Sequence, residues 1–192
     1  MAGSYSYTVI LDACVLYPAP LRDLLLSLAE ADVFRGRWTS TIHDEWTRNV
    51  LANRTDLKPD TLNRTVELMN QAVDDCLVEN YEYLIDSLSL PDKDDRHVLA
   101  AAIVGHADAI VTFNLKDFPS EIANAHGLEI LHPDDFLVAQ YGLAPVKMLK
   151  IVKTLRERLK NPQRTAQELI ATYLSQGLPQ TCKLLEEAVG LI

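Results

Sequence analysis

"PDKDDRHVLAAAIVGHADAIVTFNLKDFP", residues 91–119, carries the clearest architectural signal in the chain. Asp92, Asp94 and Asp95 fall within four positions and open directly onto an apolar, alanine-rich run. Like charges this close repel, and the repulsion grows as they leave bulk water. The run behind them reads as a buried helix from about Asp94 to His106, the anchor that fixes where the carboxylates point. "ADAIVTF", residues 107–113, then reads as a buried strand, and "NLKDFP" as a loop closed by Pro119. Asp92 is expected to cap the helix, with Asp95 at its N3 position. Asp94 and Asp95 either complement the helix dipole or face a ligand.

Upstream, residues 7–11 (Tyr-Thr-Val-Ile-Leu) read as a buried strand ending at Asp12. A helix is expected from Pro20 to Phe34, from the spacing of Leu21, Leu24, Leu25 and Leu28. Trp38 to Ser40 suits a short strand, and Thr41 a helix cap for "TIHDEWTRNVLAN". Pro59 opens a further helix, and Tyr81 to Leu88 is ambiguous. Downstream, Leu128 to Leu131 reads as a strand and "HPDDFLVAQYG" as a helix. Helices alternating with short apolar strands, with few hairpin signals, imply an α/β fold with a mostly parallel sheet. Beyond Leu143-Ala144-Pro145 only helices are expected, at about 145–160, 165–176 and 179–189. This divides the chain into an α/β unit, residues 1–143, and an all-helical extension, residues 144–192.

The formal net charge of −9 argues against a general nucleic-acid binder, but the charge is uneven. Residues 145–164 hold seven cations against Glu157, a local balance of +6 that leaves the remainder at −15. This segment reads as an amphipathic helix with a basic face. That face is either solvated surface or a contact for RNA phosphates or an acidic partner. Cys14, Cys76 and Cys182 are widely spaced without a CxxC pair, which suits reduced cytosolic thiols. No apolar run reaches transmembrane length, because Asp12 interrupts the first one, and the first residues lack the pattern of a secretory leader. The expected setting is cytoplasmic.

Acidic residues recur at the ends of apolar elements: Asp12 after the first strand, Glu45 one turn into a helix, Asp94 and Asp95, and Asp117. In a parallel sheet the carboxyl ends of the strands share one edge, where the ligand crevice lies. Converging carboxylates must be protonated or bridged by cations, and an all-oxygen set suits Mg²⁺ or Mn²⁺. Singly, each has an ordinary reading: Asp117 as a turn residue, Glu45 as a solvated helix residue. Asp12 is harder to explain that way, because a buried carboxylate needs a partner. Other chemistries lack their signatures. There is no GxGxxG, P-loop lysine or GxSxG motif, and the five histidines lack metal-ligand spacing. A Cys14 nucleophile would be weakened by the carboxylates around it, so packing or support of the site is expected of Cys14.

"VILDACVLY", "TSTIHDEW", the opening stretch and "ILHPDDFL", in that order over roughly residues 7–141, resemble the PIN domain, in particular VapC-type toxins of bacterial toxin–antitoxin systems. The resemblance implies a three-layer α/β/α fold with a central parallel sheet and a metal-dependent ribonuclease. It implies Asp12, Glu45, Asp95 and Asp117 as the acidic set, with Asp12, Asp95 and Asp117 holding Mg²⁺ or Mn²⁺. Asp94 shares or takes the role of Asp95. Thr112, Asn114 and Ser40 match supporting polar positions. Many relatives carry an aspartate near Asn114, and the position of Cys14 often carries Asn. The implied partners are an RNA substrate, a protein antitoxin and a second copy of the chain, with no membrane. Two other classes stay open: a non-catalytic PIN-fold module that binds RNA or protein, and a phosphohydrolase for small esters. The latter would want a carboxylate where Cys14 stands.

Overall fold

The computed structural model describes residues 7–192. Residues 1–6, on which the reading of the N-terminus rests, lie outside them. Four parallel strands form one sheet: β1 (Thr8–Leu11), β2 (Arg35–Arg37), β3 (Ala109–Val111) and β4 (Glu129–Leu131), in the order β2-β1-β3-β4. The register pairs Val9 with Gly36 on one side and with Ala109 on the other. Between β1 and β2 run α1 (Ala13–Leu16) and α2 (Ala19–Glu30). Between β2 and β3 run α3 (Ser40–Asn53), α4 (Pro59–Ala72), α5 (Glu82–Ile85) and α6 (Arg96–Val104). α7 (Ser120–Ala125) joins β3 to β4. From β1 the chain winds outward to β2, then returns past β1 to β3 and β4. Right-handed crossovers in opposite directions place their helices on opposite faces, which makes the three layers.

β1 and β3 are buried throughout, as continuous apolar strands covered on both faces must be. Across them lies α6, where Val98, Leu99, Ala100, Ala101 and Ala102 are each at most 1% exposed. The small alanines let this helix lie close to the sheet. Gly105 ends it for a steric reason: a Cβ there would come within 2.8 Å of the Ala101 carbonyl oxygen.

After β4 only helices follow: α8 (Pro133–Leu143), α9 (Pro145–Arg158), α10 (Ala166–Ser175) and α11 (Pro179–Glu187). Thr165 and Glu168 form a reciprocal capping box at the start of α10. α8 is tied to α11 by a buried carboxylate. Asp134 accepts from the backbone N–H groups of Gln180 and Thr181, both at 2.8 Å, and from the Thr181 hydroxyl at 2.7 Å. Two otherwise unpaired amides of the α11 N-terminus are satisfied from another helix.

Several expected boundaries move. The second strand is Arg35–Arg37, not Trp38–Ser40; Trp38 forms only an isolated bridge to Leu77. The cap of α3 is consequently Thr39, whose hydroxyl accepts from the Ile42 N–H at 3.1 Å. Thr41 lies inside the helix, and its hydroxyl meets Tyr81 Oη at 2.7 Å. Asp92 does not cap α6. Its carboxylate accepts from the Asp94 N–H at 2.9 Å, closing a turn ahead of the helix. Asp95 occupies the cap position in a helical backbone conformation and makes no capping hydrogen bond. α1 and α7 are short elements without a strong sequence period.

Candidate active site

Strand order reverses between β1 and β3, and in a parallel sheet the ligand crevice is expected beyond the carboxyl ends of the strands at that point. Asp12 and Thr112 are the first residues past those ends, and the Asp12 N–H still donates to the Val111 carbonyl at 3.1 Å. Asp12 is 3% exposed, and each oxygen is engaged. Oδ1 accepts from the Ala13 N–H at 2.6 Å, which caps α1. Oδ2 accepts from the Thr112 hydroxyl at 2.6 Å and the Cys14 thiol at 3.1 Å. The Thr112 hydroxyl in turn accepts from the Asn114 N–H at 2.9 Å, and Cys14 Sγ from the Phe113 N–H at 3.3 Å. Cys14 therefore supplies the supporting bond expected of an asparagine. Burial, reinforced by the Asp12 charge, pushes its thiol up to about 12, so it stays protonated and can donate.

Glu45 projects from the second turn of α3. That helix is held by a buried polar chain. The Trp46 indole donates to His43 Nδ1 at 2.9 Å, and His43 Nε2 and the Trp38 indole meet Asn70 Oδ1 at 3.0 and 2.8 Å. Burial lowers the His43 pKa, in keeping with a neutral ring that accepts at Nδ1. The Arg22 guanidinium lies 4.5 Å from the Trp46 ring centroid and donates to the Leu16 carbonyl at 2.8 Å, bracing the α1–α2 junction against α3.

His97 reaches Glu45 from the opposite helix. Its Nε2 lies 3.0 Å from Glu45 Oε1, while Nδ1 is buried with no hydrogen-bond partner among the described residues. A carboxylate can only accept, so Nε2 carries the donating proton. Spacing rules for metal-binding histidines pass over this residue. The signal that could have found it is a polar side chain two positions after Asp95, at the head of a run that is otherwise buried and apolar.

Asp95 is half-buried at the N-terminus of α6. Its pKa is raised to about 6, first by desolvation and then by the charges of Asp12, Asp92, Asp117 and Glu45. Asp12, Glu45 and Asp117, from three other segments, thus each lie within electrostatic reach of Asp95. Asp117 ends the 3₁₀ turn Leu115–Asp117 and is partly buried. Asp94, Ser40 and Asn114 are exposed, and Asp94 is absent from the charges that act on Asp95. Among the described residues, no three carboxylate, imidazole or thiol groups are gathered at ligating distance. The donor set is nonetheless one of oxygens only, anionic and self-repelling, which fits a hard divalent cation.

A family model described as "PIN domain" matches residues 8–116. The chain belongs to the PIN-domain family. The match runs from β1 to the loop after β3 and holds Asp12, Glu45 and Asp95. A second model, "VapC50 C-terminal domain", matches residues 133–187, the helical region from α8 to α11. "Putative ribonuclease VapC50" of Mycobacterium tuberculosis (strain ATCC 25618 / H37Rv) is 37% identical over 86 residues, 45% of this PIN-domain chain and 50% of that protein. The chain thus matches about half the length of this relative. No solved structure matches the chain.

Proposed function

We propose that the chain is a divalent-metal-dependent endoribonuclease, the toxin of a VapBC-like pair. The observation that supports this reading is that Asp12, buried just past β1 at the switch point, and the charges of Asp117 and Glu45 all bear on Asp95. In this reading Asp12, Asp95 and Asp117 hold Mg²⁺ or Mn²⁺. Bound there, the cation supplies neutralising charge and lowers the pKa of water. The chain supplies the geometry. Thr112 and Cys14 pin Asp12, Asn114 orients Thr112 through its backbone, and His97 holds one oxygen of Glu45. The other Glu45 oxygen is left to bind the metal or orient the attacking water. Asp94 and Ser40, both exposed, would support the set from outside it. The relative's name supports an RNA substrate.

Residues 1–143 form the nuclease unit in this proposal and residues 144–192 a helical extension. A protein antitoxin would occlude the acidic crevice, a second copy of the chain would complete a homodimer, and the setting would be cytoplasmic. Among the described residues no helix is long and apolar enough to cross a membrane.

Purified, antitoxin-free protein incubated with mixed RNA and with a small phosphate ester tests the reading. RNA cleavage is expected only with Mg²⁺ or Mn²⁺, and Asp12→Asn and Asp95→Asn should abolish it. RNA binding without metal-dependent cleavage across a broad substrate panel would move the chain to the non-catalytic class. Cleavage of the ester alone would make it a phosphohydrolase.

A further inference from the structure

An RNA strand entering the crevice must approach a molecule of net charge −9 whose crevice is itself acidic. One surface offers the opposite sign. α9 turns Met148, Leu149 and Val152 inward and leaves Lys147, Lys150, Lys153 and Arg158 exposed, with Lys160 just beyond its end. Three of these are uncommitted: Lys150, Lys153 and Lys160 make no ion pair among the described residues. Arg158 lies within electrostatic reach of Asp23. Arg156 and Arg164, by contrast, are partnered by Glu157 and Glu168.

The direction of α9 gives the stripe its meaning. α2 leaves the crevice edge, beginning seven residues after Asp12, and runs to the opposite edge, where β2 begins. At that far end Lys147 Nζ donates to the Ala31 carbonyl at 2.6 Å. At the near end Leu155 and Leu159 share a cavity with Ala19 and Pro20, the first residues of α2. α9 therefore runs antiparallel to α2, back toward the crevice edge. Between them lies a groove of 420 Å³, with Lys147, Lys150 and Arg158 on the α9 wall and Ser27 and a single carboxylate, Glu30, on the α2 wall. Lys147 to Arg158 spans about 16 Å of helix axis, enough to follow several phosphates of one strand. The exposed apolar Leu143 and Val146 sit at the far corner, away from Arg158 and Lys160.

We propose that the exposed basic stripe of α9 is a phosphate track for single-stranded RNA, leading from the far edge of the molecule to the acidic crevice. It rests on the ribonuclease reading for its ligand and adds where the strand lies outside the cleft. The cations read charge and not sequence, so the track sets affinity and strand length and leaves the cleavage site to the crevice.

The test measures binding separately from cleavage. Asp12→Asn protein is titrated, by fluorescence anisotropy over a range of salt, with a labelled single strand long enough to cover α9 and with a short one. Adding Lys150→Gln and Lys153→Gln should weaken the long strand at least tenfold and lower the salt-dependence slope by about 1.4, two phosphates at 0.7 each. The loss should grow with strand length, and Lys183→Gln on α11 should leave the slope unchanged. An unchanged slope and affinity for the long strand would overturn the track. So would loss of binding to polyglutamate alone, which would assign the stripe to an acidic protein. Absence of cleavage by the unaltered chain would remove the ribonuclease reading and leave the binding result standing.

Discussion

His97 Nε2 lies 3.0 Å from Glu45 Oε1 and links α6 to α3 two residues from Asp95. One side chain thus helps set the spacing of two of the acidic segments, and does so from a buried position that solvent does not compete for. Removing it should lower kcat about 10–100-fold, the usual cost of losing the partner of a ligating group. His97→Ala should show this loss with KM for RNA little changed. His97→Gln, which can still donate to Glu45, should recover part of it; equal losses in both variants would mean packing alone.

Asp95 gives the metal-free protein an unusual pH response. Its folded pKa, about 6, stands above the ordinary 3.8, so between these values the folded state holds more protons than the unfolded one. Stability from this group therefore falls as pH rises through that window, and the penalty is complete above about pH 6. Asp95→Asn should raise the melting temperature of metal-free protein at pH 7.5, by roughly 2–4 °C per kcal/mol relieved. Partial exposure and solvent screening keep the gain modest. It should vanish as pH approaches 4. A thermal denaturation series over pH, with chelator present, checks the sign.

Cys14 should be chemically quiet. With its thiol pushed up to about 12, it should resist alkylation at pH 8 in the folded protein and react on denaturation. Cys14→Asn should keep activity close to that of the unaltered chain, because an amide can still donate to Asp12 Oδ2 and accept from the Phe113 N–H. Cys14→Ala loses both bonds and should fall by about tenfold or more.

Asp134 tests how the C-terminal helices are fastened. Asp134→Ala strands two backbone amides and a buried hydroxyl, at about 1–3 kcal/mol for each group left unsatisfied. Urea denaturation should show a loss of several kcal/mol, and limited proteolysis should cut first within residues 145–192. Asp135→Ala, which loses only an exposed bond to the Gln180 side chain, should leave the midpoint almost unmoved.

The parallel sheet and its crevice were legible because β1, β3 and α6 are apolar runs with acids at their ends, a pattern that needs no tertiary information. The caps were less so. Thr39, Ser40 and Thr41 all bear hydroxyls, and only the register of β2 against β1 decides that Thr39 caps α3. Asp92 was misplaced for a similar reason, since a turn and a helix cap ask for the same side chain. That Asp95 lies within reach of the Asp12 charge is a matter of three-dimensional placement. The Glu45–His97 pair spans 52 positions and leaves no periodic trace in the chain.

Asp12 has a thermodynamic corollary. A carboxylate offers about four lone-pair directions, and the Ala13 N–H, the Thr112 hydroxyl and the Cys14 thiol take three of them. Folding has already settled both side-chain torsions and left about one direction open. An incoming cation finds that oxygen with no rotamer freedom left to quench, so its entropy of association should be less unfavourable than at a carboxylate that must first be frozen. Calorimetric titration of Thr112→Val, in which the Asp12 carboxylate loses its shortest side-chain restraint, should register the difference as an added entropic cost.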